Sequence, residues 1–596
     1  MKLATKLAML APTAAGLVGL ALPIPASAVL QVQSVTPARY ALAVPSYLTE
    51  IQAIFSAPVA SVPPGAVRVS GTMSGLHDGT VTVVDDAVTF HNGLRPFLRG
   101  EMVVVNYRND IASVTGDSLT GGYTSAFTIA SGAGTFAWQD RQGWGASDVP
   151  YFIYGGDLDG DGSPDVAAPN EGTHDVSIFR NTGGDGSFPL RQEYAVGQVP
   201  SSIFGEDFDN DGDQDLATAN IQSGNVSVLL NHGDGTFAPA TNYPAGGQCR
   251  QIHGGDFDGD NDVDLCATSR GQNRVHVYLN NGDGTFVPLP PITAVSAGPF
   301  AIRTGLLDPD GRLDIAVACQ DADSLTVLTN QGGGVFARTG TWAMANGPWC
   351  LNGNDFDGDG DFDLASVASY ANRLIVLFND GSGGFGTSHL VSTGAFPLGV
   401  FVADLDGDGD VDATSSNYAG GTVDLFRNPG NGLLAYATTL PVAQSGSYTW
   451  AHDLDGDGDL DLSVVDENAD SLFVFFQAGV AAAAPEPPAQ QAEVLDGADS
   501  GTIRVVPNPV DPRSGARVTI TLPDGGRHAD DAVPIWVELF SIDGRQVGRV
   551  GPASLREGTA TVSWDASRLA PGRYVLEVRS RGSRSARGEA IVLPSR

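Results

Sequence analysis

Lysine is almost missing from this 596-residue chain: it occurs only at Lys2 and Lys6, so positive charge beyond them is carried by arginine. Lysine and arginine number 32 against 69 acidic residues, a formal charge of −37. That balance argues against nucleic acid as a partner, since a phosphate backbone is held by cationic surface. Cysteine is scarce too. Cys249, Cys266, Cys319 and Cys350 lie too far apart for a zinc knuckle. Four cysteines in an exported chain allow disulfides with three pairings, and buried thiols in strands are the other reading. None is marked as catalytic. The nine histidines form no regular cluster, and no His-Glu-x-x-His occurs. The one long apolar run, Leu7 to Leu22, is broken by Pro12. It follows Lys2 and Lys6 and precedes Ala26-Ser27-Ala28, which is the layout of a cleaved secretion signal over residues 1–28. The run is too short and interrupted for a membrane anchor. The mature chain is therefore expected to be secreted or at the cell surface, with no transmembrane segment.

Aspartate is where the charge concentrates. A nine-residue acidic loop recurs seven times, spaced by 49 or 50 residues, beginning at Asp157, Asp207, Asp256, Leu306, Asp355, Asp404 and Asp453. These loops hold 32 aspartates, so much of the net charge is local. A fixed period of this length marks repeat architecture. The loop at Asp355 reads Asp-Phe-Asp-Gly-Asp-Gly-Asp-Phe-Asp. Alternating carboxylates can converge on a hard cation only if the backbone curls, and glycine at position six allows the turn. In the first loop the ligands would be Asp157, Asp159, Asp161 and Asp165, with the carbonyl of Ser163.

The same set recurs at Asp207, Asp209, Asp211, Asp213 and Asp215, and at Asp256, Asp258, Asp260, Asp262 and Asp264, where Asn261 takes position six. It recurs at Asp355, Asp357, Asp359, Asp361 and Asp363, and at Asp404, Asp406, Asp408, Asp410 and Asp412. The last copy has Asp453, Asp455, Asp457, Asp459 and Asp461. The fourth departs: Leu306 replaces the first carboxylate and Pro309 sits at position four, leaving Asp308, Asp310 and Asp314. The expectation is about six structural Ca²⁺ sites, with weak or no binding at the fourth loop. Magnesium demands a stricter octahedron. The glycines do not read as a phosphate cradle, because the carboxylates would repel the ligand.

The rest of the chain reads as β-structure. Residues 29–130 contain runs such as Met102-Val103-Val104-Val105-Asn106, punctuated by Gly, Pro and Asp, which fits a small β-sandwich. Residues 131–478 hold the repeats, each with about four short strands, the content of one propeller blade. A second marker, at Phe136, Phe188, Phe237, Phe286, Phe336, Phe385 and Leu434, is shifted one unit towards the N-terminus. A strand near Phe136 is thus expected to complete the final blade and close the ring, hiding the edges that a linear stack exposes. Residues 479–500, with Pro485-Glu486-Pro487-Pro488, read as a linker. Residues 501–596 return to β patterning and carry 14 arginines against 10 acidic residues, a separate domain. The fold class is all-β: a seven-bladed β-propeller flanked by two small Ig-like β-sandwiches.

The acidic loops resemble those of integrin α-subunit propellers and of the bacterial FG-GAP/VCBS repeat family, over about 350 residues; the resemblance implies calcium binding. The run Ile54-Phe55-Ser56-Ala57-Pro58-Val59 and the stretch from Gly116-Asp117 to Phe127-Thr128 resemble bacterial surface Ig-like domains. The order Pro507-Asn508-Pro509, Trp536-Val537-Glu538-Leu539-Phe540, Asp543-Gly544-Arg545, Val562-Ser563-Trp564-Asp565 and Pro571-Gly572-Arg573-Tyr574 resembles FlgD-like C-terminal domains, many of which sort proteins for type IX secretion. That implies secretion machinery as a partner, although the usual basic residue after the last hydrophobic strand is displaced in Ile591-Val592-Leu593-Pro594-Ser595-Arg596.

On a propeller the acidic loops share one face, and the opposite face varies between repeats, which suits recognition. Six residues ahead of each loop sit Tyr151, Ser201, Arg250, Phe300, Trp349, Leu398 and Ser447. Tyr151, Arg250, Phe300 and Trp349 would make an aromatic and cationic rim for an extracellular glycan or protein, or would instead pack between blades. The function expected is non-enzymatic binding or adhesion. The alternative is a glycan-active enzyme, a polysaccharide lyase or hydrolase, assembled across blades.

Overall fold

The structure is a computed structural model that describes residues 29–93, 95–139 and 141–478, and seven strands between Thr502 and Val592. The leader and the linker expected at residues 1–28 and 479–500 lie outside the described residues. Among those described there is no α-helix, and two short 3-10 turns, Arg270–Gln272 and Gln320–Ala322, are the helical segments.

Residues 29–130 form two four-stranded antiparallel sheets over one core. One runs Val32–Thr36, Glu50–Phe55, Ala87–Asn92, Gly79–Val84; the other runs Tyr123–Thr128, Met102–Tyr107, Val67–Gly71, Gly75–Leu76. Period-two alternation turns Ile51, Ala53 and Phe55 inward along Glu50–Phe55. They meet Val69, Val88, Val103 and Phe127 in a single apolar cluster.

The repeats build seven four-stranded antiparallel sheets with the form of propeller-like blades. Their first strands are Tyr154–Gly156, Pro200–Glu206, Cys249–Gly255, Pro299–Gly305, Pro348–Asn354, Pro397–Ala403 and Gly446–His452. Each second strand starts on position nine of an acidic loop, as in Asp215–Asn220 and Asp363–Ala368, and every residue of it is buried. Fourth strands such as Leu190–Ala195 are mostly exposed. The first strand of each sheet packs on the first strand of the next, and Gly446–His452 packs on Tyr154–Gly156, so the cycle of contacts closes.

The last sheet is completed by the N-terminal segment of the repeats. Gln142–Gly145 pairs antiparallel with Ser471–Phe475. This strand lies beyond Phe136, whose φ of +54° interrupts extended backbone. Phe136 is instead held by its N–H, which donates to Gln477 Oε1 at 2.8 Å. Joining the two ends in one sheet removes both open edges.

The sandwich lies over the acidic loops. Asn109 N–H donates to Gly259 O and Thr124 N–H to Gly311 O, and the segment that leaves the sandwich adds Gly132 N–H to Gly458 O and Gly134 N–H to Asp406 O. It contacts the first loop through Met73 O, which accepts from Asp157 N–H at 2.8 Å.

The C-terminal segment is a separate compact unit. Thr502–Val506, Ala516–Thr521 and Thr559–Trp564 form a three-stranded sheet. Gln546–Ser554, Pro534–Ser541, Gly572–Ser580 and Ser583–Val592 form a four-stranded one. Pro507-Asn508-Pro509 and Asp543-Gly544-Arg545 lie outside the described residues. The four cysteines are buried free thiols with no disulfide between them.

Candidate metal loops and the opposite ring mouth

Position six has a left-handed backbone in all seven loops, from Asn261 at φ +74° to Gly458 at +102°. This is the conformation for which glycine has no penalty and asparagine a small one. The turn brings the position-six N–H onto the position-one carboxylate: Gly162 to Asp157 at 3.1 Å, Gly212 to Asp207 at 3.2 Å, Asn261 to Asp256 at 3.0 Å, Gly360 to Asp355 at 2.9 Å. Carboxylate oxygens then crowd within 4.8 Å of one another in Asp157, Asp159 and Asp165, in Asp207, Asp209 and Asp215, and in Asp404, Asp406 and Asp412. Asp256, Asp258 and Asp260, and Asp355, Asp357 and Asp359, converge similarly.

Several of these oxygens are buried with no hydrogen-bond donor: Oδ1 of Asp157, Asp207, Asp209, Asp258, Asp357 and Asp453. A buried acceptor that nothing satisfies is costly, and an all-oxygen cluster of this kind suits a hard cation. Position seven points elsewhere. The Asp213, Asp262, Asp361 and Asp410 carboxylates, expected among the ligands, turn instead to the glycine of the following turn, at Gly233, Gly282, Gly381 and Gly430.

The fourth loop is built differently. The other loops have a second left-handed residue at position four, such as Gly160, Asn210 and Gly259. Proline cannot adopt positive φ, so Pro309 abolishes that curl. Leu306 N–H donates to Tyr40 Oη at 2.8 Å in place of a carboxylate contact. Arg39 donates to Asp308 O at 3.1 Å and Leu306 O at 3.3 Å, and Arg312 ion-pairs with Asp310. Two guanidinium groups stand where the other loops gather carboxylates around open oxygens.

Position nine has a backbone role in every copy. Asp363 is fully buried; its Oδ2 accepts from Phe356 N–H at 3.0 Å and its Oδ1 from Asn379 N–H at 2.8 Å. The same pair of bonds recurs at Asp215 and, in the degenerate loop, at Asp314. The residue that donates to Oδ1 is a latch that the sequence reading missed. Asn231 Nδ2 donates to Leu158 O of the preceding sheet at 2.8 Å, Asn280 to Phe208 O, Asn330 to Phe257 O, Asn379 to Leu307 O and Asn428 to Phe356 O. Gln477 donates to Leu405 O, and Asn181 reaches Leu454 O across the closure. The signal was present: a carboxamide lies 16 residues after each position nine.

Burial pushes the position-nine carboxyls up, Asp215, Asp363 and Asp412 each to about 8, and the position-one groups Asp207, Asp355 and Asp404 to about 6. A carboxyl whose pKa rises on folding binds its proton more tightly when folded. Its stabilisation is present below the unfolded value near 4 and is lost as pH climbs through the folded value. Chelator-treated protein is therefore expected to melt higher at pH 5 than at pH 8. Each differential proton gives a slope of up to ~1.4 kcal/mol per pH unit. In calcium the trend should reverse, because the cation binds the ionised form. Melting scans at the two pH values, with and without chelator, check both signs.

Arginines of the sandwich meet this face. Arg95 Nη2 lies 2.6 Å from Asp157 Oδ2, Arg68 Nη2 3.7 Å from Asp207, Arg39 Nη2 3.7 Å from Asp361 and Arg99 Nε 3.9 Å from Asp453. Arg68 is buried and also donates to Asp207 O and Asn261 O.

Tyr151, Arg250, Phe300 and Trp349 come together with Ser201, Leu398 and Ser447 at the other mouth of the ring, around a space of about 20 Å³. Their convergence has a local cause. Ser201, Phe300, Trp349, Leu398 and Ser447 are skipped in the pairing of first and second strands, and a bulge re-aims the extra side chain. Trp349 Nε1 donates to Tyr151 Oη at 2.6 Å. Phe152 stacks on Tyr448 at 3.8 Å. Phe300 is buried, with the Arg250 guanidinium 4.9 Å over its ring and Trp349 4.6 Å away. The aromatic surface continues outward through Phe396 to Tyr370 and Tyr418. Tyr370 is 60% exposed. Val149, Val199 and Phe396, each just before a proline on this face, hold positive φ, a strained state for such side chains.

Three segments of the chain, residues 207–267, 256–317 and 355–415, match the FG-GAP-like repeat. The chain thus carries FG-GAP-like repeats in an all-β, propeller-like protein with clusters of aspartate able to bind metal ions. A comparison with curated proteins finds no match. Among solved structures, an Agrocybe aegerita lectin described for recognition of non-reducing terminal N-acetylglucosamine shares 20% identity, covering 63% of this chain and 90% of the lectin, with a TM-score of 0.36. BBS1N, solved in complex with ARL6DN, shares 14% identity over 57% of this chain and 97% of that one, with a TM-score of 0.42. A functionally unknown protein from Desulfotomaculum acetoxidans shares 13% identity over 56% and 95%, with a TM-score of 0.34.

Proposed function

We propose that residues 131–478 are a closed, seven-bladed, calcium-stabilised propeller of an exported protein, and that it binds an extracellular glycan or protein through the face opposite the acidic loops. The sandwich at 29–130 then acts as a fixed cap, and residues 501–596 as a sorting or attachment module. The observation that carries this reading is the unequal treatment of the two faces. The acidic-loop face is engaged by the chain's own Arg39, Arg68, Arg95 and Arg99. The opposite mouth presents Trp349, Arg250, Phe396 and the exposed Tyr370 on a surface with strained turns. Aromatic and arginine side chains are the usual anchors of recognition surfaces.

Tyr370→Ala and Trp349→Ala test it on a glycan array and against extracellular-matrix proteins. Binding of the parent chain is expected to fall at least tenfold in Trp349→Ala, with the melting temperature of Tyr370→Ala unchanged. Ligand binding that ignores both substitutions would place recognition elsewhere.

One observation favours a second, enzymatic reading. Glu171 and Glu467 lie on the same face near Arg250 and Tyr151, and burial raises both carboxyls to about 7. A carboxyl that stays protonated near neutrality is what a general acid in glycan cleavage needs. Release of reducing ends by the parent chain, abolished in Glu467→Gln, would establish it; binding without release would leave the surface a recognition site.

A further inference from the structure

The ring axis carries a chamber of about 170 Å³ between the first strands of the sheets and the sandwich. For scale, a cavity of ~150 Å³ accommodates benzene. Its wall is largely apolar, with Phe204, Phe362, Trp450 and Leu351 among the lining residues. Into it projects Arg303, from the first strand Pro299–Gly305.

The other charged groups on the wall have partners. Arg68 pairs with Glu206 at 3.8 Å, and Glu206 also accepts from Ser70 Oγ at 2.9 Å. Glu101 accepts from Ser74 Oγ at 2.7 Å and from the N–H groups of Met73 and Ser74. Arg303 has no such counterpart: among the described residues no carboxylate lies within 4 Å of its guanidinium. Its one hydrogen bond runs from Nη1 to His253 Nε2 at 2.6 Å, and its buried Nε has no acceptor. His253 is no source of negative charge. Its Nδ1 faces Thr304 Oγ1 at 2.9 Å and Gly254 O at 3.2 Å, which fixes the proton on Nδ1 and leaves Nε2 to accept from Arg303. Burial and the neighbouring guanidinium hold the ring neutral.

Buried charges in proteins are paired, and a guanidinium offers five N–H donors in a fork that fits a carboxylate. We propose that this chamber binds a small organic anion, a carboxylate on an apolar body about the size of one ring, with Arg303 as its counter-charge and His253 orienting the guanidinium. The apolar wall takes the body, and the unshared donors of Arg303 take the carboxylate. The chamber adjoins the outer mouth, with which it shares Phe152, Gln251 and Tyr448, but the proposal does not rest on the recognition reading.

Benzoate tests the proposal against benzyl alcohol, its neutral counterpart of similar shape, with chloride and phosphate as inorganic anions. Each is added to the native full chain and also during refolding, so that entry does not decide the outcome. Benzoate is expected to raise the melting temperature and to change the fluorescence of Trp450 in the chamber wall, with benzyl alcohol at least tenfold weaker. Arg303→Met should abolish the preference for benzoate. Arg303→Lys keeps the charge without the fork and should bind benzoate at least tenfold more weakly than the parent, and it serves if the methionine variant does not fold. Equal response to benzoate and benzyl alcohol, response to chloride or phosphate alone, or no response to any of them in the parent chain would overturn the proposal. So would an Arg303 variant that folds and binds benzoate as the parent does.

Discussion

In excess EDTA the protein is expected to melt about 15 °C or more below its value in millimolar calcium, and to recover fully when calcium is restored. Binding at a hundredfold excess over Kd contributes ~2.7 kcal/mol per site. Six loaded loops would therefore add on the order of 16 kcal/mol to the stability of the ring. In a unit of this size one kcal/mol moves the melting point by roughly 1–2 °C, which gives the expected shift. The physical origin is charge. With no cation, buried oxygens such as Asp258 Oδ1 and Asp357 Oδ1 have neither donor nor counter-charge, while their neighbours repel them. Magnesium should restore less, because a loop of alternating aspartates offers a wider and softer cage than its octahedron accepts. A melting curve indifferent to chelator would remove calcium from the account and leave the carboxylates protonated in the native state.

The sandwich bears on the same balance. Arg95 on Asp157 and Arg68 on Asp207 offset charge at the first two loops, and Arg39 with Arg312 does so at the fourth. Arg39 also lies 3.7 Å from Asp361 of the fifth loop, Arg427 pairs with Asp406 of the sixth at 2.8 Å and Arg99 faces Asp453 of the seventh. Chelation is thus expected to act most strongly at the third loop, where among the described residues no arginine lies within 4 Å of a carboxylate and Asp256 receives the Gly259 and Asn261 N–H groups. Hydrogen exchange would read this as early loss of protection in Asp264–Ser269.

Much of this architecture was legible from spacing alone. The period of the acidic loop located the second strands, since each begins at position nine, as at Asp264 and Asp461. Leu306 and Pro309 separated six similar loops from one degenerate copy, and the backbone at position four follows that division, with positive φ in the other six. The shifted phenylalanine marker pointed to a sheet completed from the N-terminal end, although the pairing strand is Gln142–Gly145 and Phe136 caps its approach. Three things were not legible. The docking of the sandwich on the acidic face depends on Arg39, Arg68, Arg95 and Arg99 meeting loops far along the chain, a relation that no local pattern encodes. The chamber and the isolation of Arg303 arise only when seven strands surround one axis. The carboxamide latches were visible as a period but not as a role, because their acceptors lie in the preceding sheet, as Asn428 with Phe356 shows.

Asp363→Ala and Asp314→Ala should separate what a position-nine carboxylate does for the backbone from what it does for a cation. Both side chains are fully buried, and both accept two backbone N–H groups: Phe356 and Asn379 for Asp363, Leu307 and Asn330 for Asp314. Alanine leaves two buried donors unpaired in either case, at ~1–3 kcal/mol each, so each variant should lose about 4 kcal/mol. Only Asp363 belongs to a loop with a full set of carboxylates, so its replacement should also cost the calcium contribution of that loop, ~2–3 kcal/mol more. In calcium, Asp363→Ala is therefore expected to melt clearly below Asp314→Ala. In EDTA the parent loses its cations, the two variants should converge, and the Asp314→Ala deficit should stay as it was. Equal deficits in calcium would mean that the fifth loop draws no more on a cation than the fourth does. The arginines at the fourth loop would then be incidental, and the carboxylates of the other six would have to be explained by backbone hydrogen bonding alone.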